Sequence, residues 1–497
     1  MTSNTPEKKP LCVDLDGTLI HTDCLFETLL GAIHKNPATL LKVPQWLAKG
    51  RPTLKAELAE LHSPDTSTLP WNQDVIEYIK EEKSKGRKVL LVTASHVKVA
   101  QLIADHLEIF DEVLATNSDV NLKSHNKAKL LVERYGEKNF DYIGNESCDI
   151  PIWQAAGSAL IANSTPQLVQ KTEALQLPTE TIGEPHSKLG KALAKACRPH
   201  QWAKNTLLFV PILTGHLYHN VNLLVSTVFA FIAMGLCAST VYILNDLLDL
   251  ESDRSHHSKR RRPIASGKLP IHVALFLPPV LLCISFGTAW FLINPTFTLL
   301  LGCYLIITSA YSLYLKQKIL VDVFLLAGLY SMRIIIGASV ACNTDGELFN
   351  GYIPLSNWLI TFSTLFFLSL AMAKRYSELH NLAQTDRKRP SGRSYHIDDR
   401  PLISQLGITS GLLAALVFAL YIYSDSSTAL YHNPNALWLI CPSLLYWITY
   451  VWLVTTRGKM REDPVTFAIK DKISYLVGII IVIAPLLANP KNTLIWP

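Results

Sequence analysis

The sequence predicts two fused parts: an α/β domain with a doubly wound parallel sheet and a small helical cap, then an all-α membrane bundle of about nine helices. Up to about Ala192, charged stretches alternate with short apolar runs, whereas apolar blocks separated by short, often basic loops follow from Trp202 onward. The first pattern is typical of α/β domains, and the second of membrane spans. We therefore divide the chain into residues 1–185 and 186–497.

The elements of the first part follow from its apolar runs. Strands are predicted at 11–13, 89–92, 112–115 and 142–143, with helical patterns between them at 74–85 and 127–135. Residues 24–71 read as a helical insert that forms the cap. The stretch 178–187 contains two prolines and two acidic residues, which indicates a linker.

The second part contains nine apolar blocks of roughly 16 to 23 residues, enough to span a bilayer core. They run over 202–218, 223–245, 271–293, 297–315, 319–341, 355–373, 402–424, 436–455 and 473–488. The first and last blocks are short, so nine is a best count.

The distribution of basic residues predicts the orientation of these spans. The loops 248–271, 316–322, 374–401 and 457–472 together hold 20 lysine and arginine residues, whereas the opposite loops and the C-terminal tail hold only Lys491. The positive-inside rule then places those four loops in the cytosol. Residues 1–10 are polar and resemble no signal peptide, so we expect a cytosolic first domain and an integral protein of a bacterial inner (plasma) membrane.

Charge and cysteine usage exclude several other classes. The net charge of +6 is concentrated in loops between apolar blocks, which favours a membrane over nucleic acid as the partner. The nine cysteines form no CxxC pair or metal-ligand spacing, so neither a disulfide framework nor a zinc site is expected. A homo-oligomer remains possible.

Two carboxylates follow the first predicted strand, in the sequence LCVDLDGT at 11–18. Asp14 and Asp16 would lie at the carboxyl end of that strand, where open α/β sheets place their sites. An ordinary acidic turn after a strand is the alternative. The motif resembles the first motif of the HAD superfamily, in which the first aspartate is a nucleophile toward phosphate and the second a general acid/base.

Three further segments extend this resemblance. It implies that Thr93 holds the phosphate, that Lys127, or else Lys123, balances its charge, and that the loop GNESCD at 144–149 completes a magnesium site with Asp14 and Asp16. Asn145 and Asp149 are the loop's candidate ligands. Asn145 departs from the usual pattern, because an amide oxygen binds magnesium more weakly than a carboxylate does. The domain could thus keep the fold and lack activity.

An acidic face is predicted at the end of the second span, in NDLLDLESD at 245–253. Asn245, Asp249 and Asp253 recur every four residues, and Asp246 lies seven residues before Asp253, so all four share one helical face. Such carboxylates repel one another unless a cation lies between them, and Mg²⁺ on a diphosphate is the natural one. The basic run KRRRPI at 259–264, which contains Lys259 and Arg262, suits phosphate binding. By itself that run could equally be a topology or lipid signal.

Together these two segments resemble the signature of the UbiA prenyltransferase superfamily of helical membrane enzymes, with Tyr311, Lys316 and Asp322 extending the resemblance. Most prenyltransferases of that superfamily carry a second multi-Asp motif near Asp322, but no acid follows Asp322 within twenty residues here. Arg333 lies instead about 16 Å further along the same predicted helix. A buried arginine normally faces a cavity or a partner, and a purely structural pairing is the alternative.

Three segments resemble the decaprenyl-phosphate phosphoribosyltransferase branch: RPHQWAKN at 198–205, AKRYSEL at 373–379 and EDPV at 462–465. They contribute Arg198, Lys204, Asn205, Lys374, Arg375 and Glu378 as candidate substrate-binding residues. The resemblance implies a magnesium-dependent transfer of 5-phosphoribose from phosphoribosyl pyrophosphate to a polyprenyl phosphate, whose product the HAD-like domain could dephosphorylate. A prenyl transfer to an aromatic or other acceptor, and a lipid or ion transporter, are the alternatives.

Overall fold

The computed structural model describes residues 8–117, 121–163, 165–183, 189–341, 356–383, 394–460 and 463–490. Parts of the predicted linker and of the loop 374–401 lie outside these residues, as does Glu462. The chain divides into two compact units: residues 1–198 with 242–278, and residues 199–241 with 279–497. Segment 242–278, which includes the acidic run, thus belongs to the same unit as the N-terminal domain.

The core of the N-terminal domain is a six-stranded sheet in the order β3-β2-β1-β4-β5-β6, and every neighbouring pair is parallel. The strands are β1 Leu11–Val13, β2 Val89–His96, β3 Glu112–Thr116, β4 Asp141–Gly144, β5 Ala159–Ala162 and β6 Thr179–Ile182. Strands β1 and β5 are fully buried, and β4 is buried after Asp141, because helices cover both faces, as parallel sheets require. The order reverses direction between β1 and β4, and the predicted doubly wound sheet is confirmed.

In the described part of the N-terminal domain eight helices accompany the sheet, and a ninth follows β6. They are α1 Cys24–Lys35, α2 Thr39–Ala48, α3 Arg51–Leu61, α4 Gln73–Ser84, α5 Val97–Leu107, α6 His125–Tyr135, α7 Ile150–Ala155, α8 Pro166–Glu173 and α9 Leu189–Ala196. Helices α1–α3 are the predicted insert, and they have a small core of their own around Trp46 and Leu58. The Asp23 side chain starts α1 by accepting a hydrogen bond from the Leu25 amide.

The predicted linker is partly wrong. Its first half forms β6, which pairs with β5 at the edge of the sheet, and β5 itself is a second strand that the sequence analysis did not assign. Glu180 and Thr181 are exposed at this edge, so β6 lacks the apolar run by which the other strands are recognised.

In its described residues the remaining chain consists of helices joined by loops, with an isolated β-bridge between Tyr431 and Pro490. Its helices are α10 Val210–Thr214, α11 Val221–Leu248, α12 Leu250–Ser255, α13 Ile271–Leu292, α14 Pro295–Leu313, α15 Val321–Ala338, α16 Asn357–Leu382, α17 Arg400–Ile422, α18 Asp425–Leu430, α19 Ile440–Thr456, α20 Pro464–Lys470 and α21 Lys472–Leu487.

Seven helical segments of the described chain are long and apolar enough to cross a membrane, and they match the seven middle spans predicted. The predicted first span, 202–218, is instead a 3₁₀ helix over Pro199–Phe209 followed by the short α10, in whose first turn Pro211 lies. The predicted last span corresponds to α21, a shorter apolar helix of 16 residues. The all-α membrane bundle is confirmed, with nine as an approximate count.

Candidate functional site

Asp14 lies at the carboxyl end of β1, in contact with a buried lysine. The Lys127 ammonium from α6 donates hydrogen bonds to Asp14 Oδ1 at 2.7 Å and to the Tyr142 hydroxyl at 2.8 Å. Lys127, rather than the alternative Lys123, therefore reaches the predicted nucleophile. Burial raises the pKa of Asp14 to about 7, although the Lys127 charge acts in the opposite direction.

Asp16 connects the strand tips to the helical insert. Its Oδ1 accepts a hydrogen bond from the Cys24 amide at the start of α1, and its Oδ2 accepts one from the Ser95 hydroxyl at 2.6 Å. Thr93 is fully buried, and its hydroxyl oxygen accepts a hydrogen bond from the Ser95 amide. Ser95 lies two residues after Thr93 in the chain, and its contact with Asp16 is not predicted from the sequence.

The loop after β4 is shaped by its own acidic residue. Asp149 Oδ2 accepts hydrogen bonds from the amides of Asn145 and Glu146, and its Oδ1 accepts one from the Tyr142 hydroxyl. Asn145 Oδ1 accepts a hydrogen bond from the Thr18 hydroxyl at 3.0 Å. In this arrangement Asp149 stabilises the loop, and the proposed magnesium-binding role of Asn145 and Asp149 stays a prediction.

In the membrane-associated acidic segment, Arg262 occupies the position where a cation was expected. A single guanidinium nitrogen, Nη1, donates to Asp246 Oδ1 at 2.9 Å and also to Asp253 Oδ2. Arg198 makes a second ion pair with Asp246, and Lys259 lies 3.7 Å from Asp253. The predicted acidic and basic runs are thus brought together, and the basic residues neutralise the buried carboxylates.

The acidic residues keep helical spacing although α11 ends at Leu248. The amide of Asp249 donates to the Asn245 carbonyl, and the amide of Asp253 donates to the Asp249 carbonyl, so the i to i+4 pattern continues into α12. Asn245, Asp249 and Asp253 therefore follow one another along one face, as predicted.

The donor set of this segment suits a divalent cation. Asp253 Oδ1 is buried without a hydrogen-bond partner, and Asp249, four residues earlier in the chain, is half-buried. In the described residues no three acidic, cysteine or histidine side chains stand in position around one metal point. A bound cation therefore needs Asp246 and Asp253 to exchange their contacts with Arg262.

A second polar cluster lies in the other compact unit, around Asp463. Its Oδ2 accepts from the Lys374 ammonium at 2.9 Å and from the Lys204 ammonium at 3.4 Å, and Tyr330 donates to its Oδ1. Burial acts to raise the pKa of Asp463, but the two ammonium groups hold that pKa well below its usual range. Two cations share this one carboxylate, so the cluster keeps a net positive charge.

Arg333 lies in the same unit, on α15. Its guanidinium donates to Asn205 Oδ1 at 3.2 Å, to the Tyr304 hydroxyl at 2.7 Å and to the Leu329 carbonyl at 2.6 Å, and it lies 5.4 Å from the Tyr330 ring centre. These partners are neutral, so the arginine adds another positive charge to the interior of the unit.

Asp322, at the start of α15, forms a buried ion pair with Arg375. Arg375 Nη2 lies 2.9 Å from Asp322 Oδ2, and both side chains are fully buried. The Tyr395 hydroxyl donates to Asp322 Oδ1, and Glu378 pairs with the other side of the Arg375 guanidinium. Tyr395 was not foreseen, because it lies 73 residues from Asp322 in the chain.

An apolar cavity of about 530 Å³ lies in this unit, lined by side chains that include Leu207, Ile334, Phe362 and Phe367. Phe367 also stacks on Tyr330 at 4.9 Å, and the Lys204 ammonium lies 5.7 Å from the centre of that tyrosine ring. One side of the Tyr330–Phe367 pair therefore faces apolar space and the other faces the cation cluster. Tyr311 packs in the core beside Tyr304, and Lys316 lies in a short 3₁₀ helix.

Comparisons with known proteins match the chain in two ways. A model of the UbiA prenyltransferase family matches residues 208–475. Protein y4nM of Sinorhizobium fredii is 36% identical over 483 residues, which cover 97% of this chain and 91% of y4nM. A decaprenyl-phosphate phosphoribosyltransferase of Mycobacterium tuberculosis is 29% identical over 306 residues, which cover 60% of this chain and 95% of that enzyme.

Two solved structures are also similar. A UbiA homologue from Archaeoglobus fulgidus bound to GPP and Mg²⁺ has a TM-score of 0.43 at 15% identity, over 60% of this chain and 99% of its own. A substrate-bound phosphoserine phosphatase has a TM-score of 0.25 at 19% identity, over 33% of this chain and 90% of its own.

Proposed function

Because the chain belongs to the UbiA prenyltransferase family, we propose that its membrane part is a transferase that moves 5-phosphoribose from phosphoribosyl pyrophosphate to a polyprenyl phosphate. We propose further that the N-terminal domain removes the 5-phosphate of the product. The similarity to a decaprenyl-phosphate phosphoribosyltransferase supports the first step. The contacts of Asp322 with Arg375 and Tyr395 carry the choice of donor.

The buried ion pair of Asp322 argues against a prenyl diphosphate donor. This is the position at which related prenyltransferases are expected to have a second acidic motif for metal-bound diphosphate. Here the carboxylate is fully buried, paired with Arg375 at 2.9 Å and hydrogen-bonded by Tyr395. Releasing it would take from the buried Arg375 one of its two counter-charges, Asp322 and Glu378, which destabilises the buried cluster. The pair therefore supports a reaction that uses one acidic segment, not two.

The apolar cavity supports a polyprenyl acceptor. Its lining is aromatic and aliphatic, as an isoprenoid chain requires. The Lys204–Lys374–Asp463 cluster is connected to it through Tyr330 and Phe367. A lipid with an apolar chain and a terminal phosphate matches this pairing of apolar space with excess positive charge.

The acidic segment suits the donor. Asp246, Asp249 and Asp253, with Asn245, would hold Mg²⁺, which supplies charge stabilisation for a departing pyrophosphate. Arg262, once released from Asp246 and Asp253, would bind donor phosphate oxygens, together with Arg198 and Lys259. These residues orient the anomeric carbon and stabilise charge on the leaving group.

The chemical step requires no protein nucleophile. A phosphate oxygen of the lipid forms a bond to the anomeric carbon, while the bond from that carbon to the pyrophosphate oxygen breaks and pyrophosphate leaves with the electron pair. The product is a lipid phosphate that carries ribose 5-phosphate.

The N-terminal domain has residues suited to removing that phosphate. Asp14 would attack phosphorus, Lys127 would balance the charge on the phosphoryl oxygens, and Asp16 would protonate the departing ribose oxygen. Water would then hydrolyse the aspartyl phosphate. The Lys127–Asp14 contact at 2.7 Å is the observation that supports this assignment.

The test uses purified full-length protein in detergent with Mg²⁺, polyprenyl phosphate and phosphoribosyl pyrophosphate labelled in the ribose. We expect label in the lipid fraction and release of pyrophosphate. A parallel reaction supplies labelled prenyl diphosphate and an aromatic acceptor. Transfer in the parallel reaction alone would overturn the proposal in favour of prenyl transfer, and transfer in neither would overturn both.

A further inference from the structure

Helix α2 of the insert exposes an apolar stripe to solvent. Leu40 is 57% exposed, Leu41 83% and Leu47 51%, and Pro44 lies between them on the same side. The spacing of Leu40, Pro44 and Leu47 is that of one helical face. Leu41 has the highest exposure of the large apolar side chains described in the N-terminal domain.

The opposite side of α2 is already occupied. Trp46 is buried against Ala32, Leu54 and Leu58, in a small core that α1, α2 and α3 build among themselves. The helix is therefore fixed in place by its inner face, and the exposed leucines are not needed for packing within the insert. A contiguous exposed apolar face of this kind indicates a binding surface.

The charges around this stripe are all of one sign. Residues 28–56 contain no aspartate or glutamate. The same stretch holds four exposed basic residues, which are Lys35, Lys42, Lys49 and Arg51, whereas the Lys55 ammonium points inward and donates to the Ala94 carbonyl. An apolar face flanked by basic residues matches the interface of an anionic bilayer, where apolar side chains enter the headgroup region and cations meet the lipid phosphates.

The insert is also held close to the ends of two apolar helices. Arg254 forms a buried, two-bonded ion pair with Glu27 of α1, and Glu251 pairs with His62 just after α3 at 3.1 Å. Arg254 follows the end of α11 by six residues, or about 9 Å of helical rise. Gly267, four residues before α13, adopts a φ of +72° and packs so closely on the His21 carbonyl that a Cβ would lie 2.2 Å from it.

We propose that α2 is a membrane-surface helix, which binds the anionic bilayer that the chain itself spans. Leu40, Leu41 and Leu47 enter the headgroup region, and the flanking basic residues contact lipid phosphates. The N-terminal domain is then held at the membrane by two attachments, its buried contacts with residues 251–267 and this helix.

The test places the photoreactive residue p-benzoylphenylalanine at position 41 of the full chain, reconstituted in nanodiscs. A matched variant carries it at Leu102, an exposed leucine of α5 in the same domain, outside the basic stretch. Both positions are exposed, so neither substitution should affect folding, which the monodisperse elution of each variant checks. The discs contain phosphatidylcholine alone or with phosphatidylglycerol, and mass spectrometry identifies the adducts.

We expect phospholipid adducts at position 41 in discs with phosphatidylglycerol, about fivefold above those at position 102, and a clear decrease in phosphatidylcholine alone or in the K42E/K49E background. Equal adduct yields at the two positions would overturn the proposal. Equal yields in the two lipid compositions would overturn the anionic preference. Cross-linked dimers in place of lipid adducts would assign the surface to a second copy of the chain.

Discussion

Glu27 and Arg254 form a buried, two-bonded ion pair, with Arg254 Nη2 2.6 Å from Glu27 Oε1 and Arg254 Nη1 3.0 Å from Glu27 Oε2. Each side chain is 4% exposed, and Arg254 Nε also donates to the Ala265 carbonyl. Arg254 directly follows Asp253 in the chain. A contact made by the helical insert therefore fixes the residue next to a proposed magnesium ligand.

The first prediction concerns this pair. Glu27→Gln leaves the Arg254 charge buried without its partner, so we expect a loss of stability on the order of 3 kcal/mol. We also expect lipid labelling to require more Mg²⁺, because Asp253 is less firmly positioned. Thermal unfolding in detergent and a magnesium titration of transfer measure the two effects.

Glu57→Gln is the matched control, because Glu57 is an exposed acid of the same insert. We expect it to behave as wild type. In the double variant E27Q/R254M both charges are absent, so its loss of stability should be smaller than the sum of the single losses. Strict additivity would show that the two residues act separately.

The second prediction concerns the acidic segment. Asp253→Asn removes a carboxylate whose Oδ1 has no hydrogen-bond partner, and Asp249→Asn removes its neighbour one turn earlier. We expect each change to lower lipid labelling by on the order of 100-fold at limiting Mg²⁺ while the protein remains folded. Near wild-type turnover of either variant at limiting Mg²⁺ would refute the proposed metal site.

The fold was largely predictable, because strands and helices of the N-terminal domain have distinct apolar periods. Short apolar runs predict β1 to β4 and the insert. The sequence predicts a linker at β6 instead of a strand, because an edge strand exposes one face and so carries polar residues. The membrane helices were found from length and hydropathy alone. Residues 199–214 show the limit of that criterion, since their composition would allow a span but they form a 3₁₀ helix and the short α10.

The candidate sites were predictable in composition but not in pairing. The sequence indicated that acids at 245–253 and bases at 259–262 act together, yet the bridging of Asp246 and Asp253 by one nitrogen of Arg262 depends on how the loop folds back. The partners of Asp322 and Arg333 were missed for a related reason. Tyr304 comes from another helix and Tyr395 from the segment before α17, and no periodic pattern relates positions so far apart in the chain.

The third prediction tests the lysine cluster around Asp463. Lys374→Met removes one of the two cations that share this carboxylate. We expect the KM for polyprenyl phosphate to rise roughly tenfold, because a charge-assisted phosphate contact is lost. Lys472→Met, at an exposed lysine, is the control. A change confined to the KM for phosphoribosyl pyrophosphate would assign the cluster to the donor.

The fourth prediction concerns topology. From the distribution of basic residues we expect residues 374–401 on the cytosolic side and α18 on the other. Cysteines introduced at Asp398 and Asp425, both exposed, should therefore react with a membrane-impermeant reagent from opposite faces of sealed vesicles. The unsubstituted chain, with its native cysteines, supplies the background. Labelling of both from one face would overturn the proposed orientation.

The last prediction separates the two reactions. Asp14→Asn retains the size of the side chain but removes the charge of the proposed nucleophile, so dephosphorylation should stop. The membrane reaction uses neither Asp14 nor Asp16 and should continue. Wild-type protein should then release inorganic phosphate and accumulate ribosyl lipid, while the variant accumulates lipid that still carries the 5-phosphate. Mass spectrometry of the extracted lipid distinguishes the two products.

Two other outcomes of that experiment are informative. If both proteins give the same phosphorylated lipid, the N-terminal domain acts on another substrate or is inactive. Asn145, whose side-chain oxygen accepts a hydrogen bond from the Thr18 hydroxyl, is then the residue to change first. If the variant makes no lipid product, the two reactions are coupled. The Glu27–Arg254 pair is then the first contact to examine, because Glu27 lies in the helix whose first amide is held by Asp16.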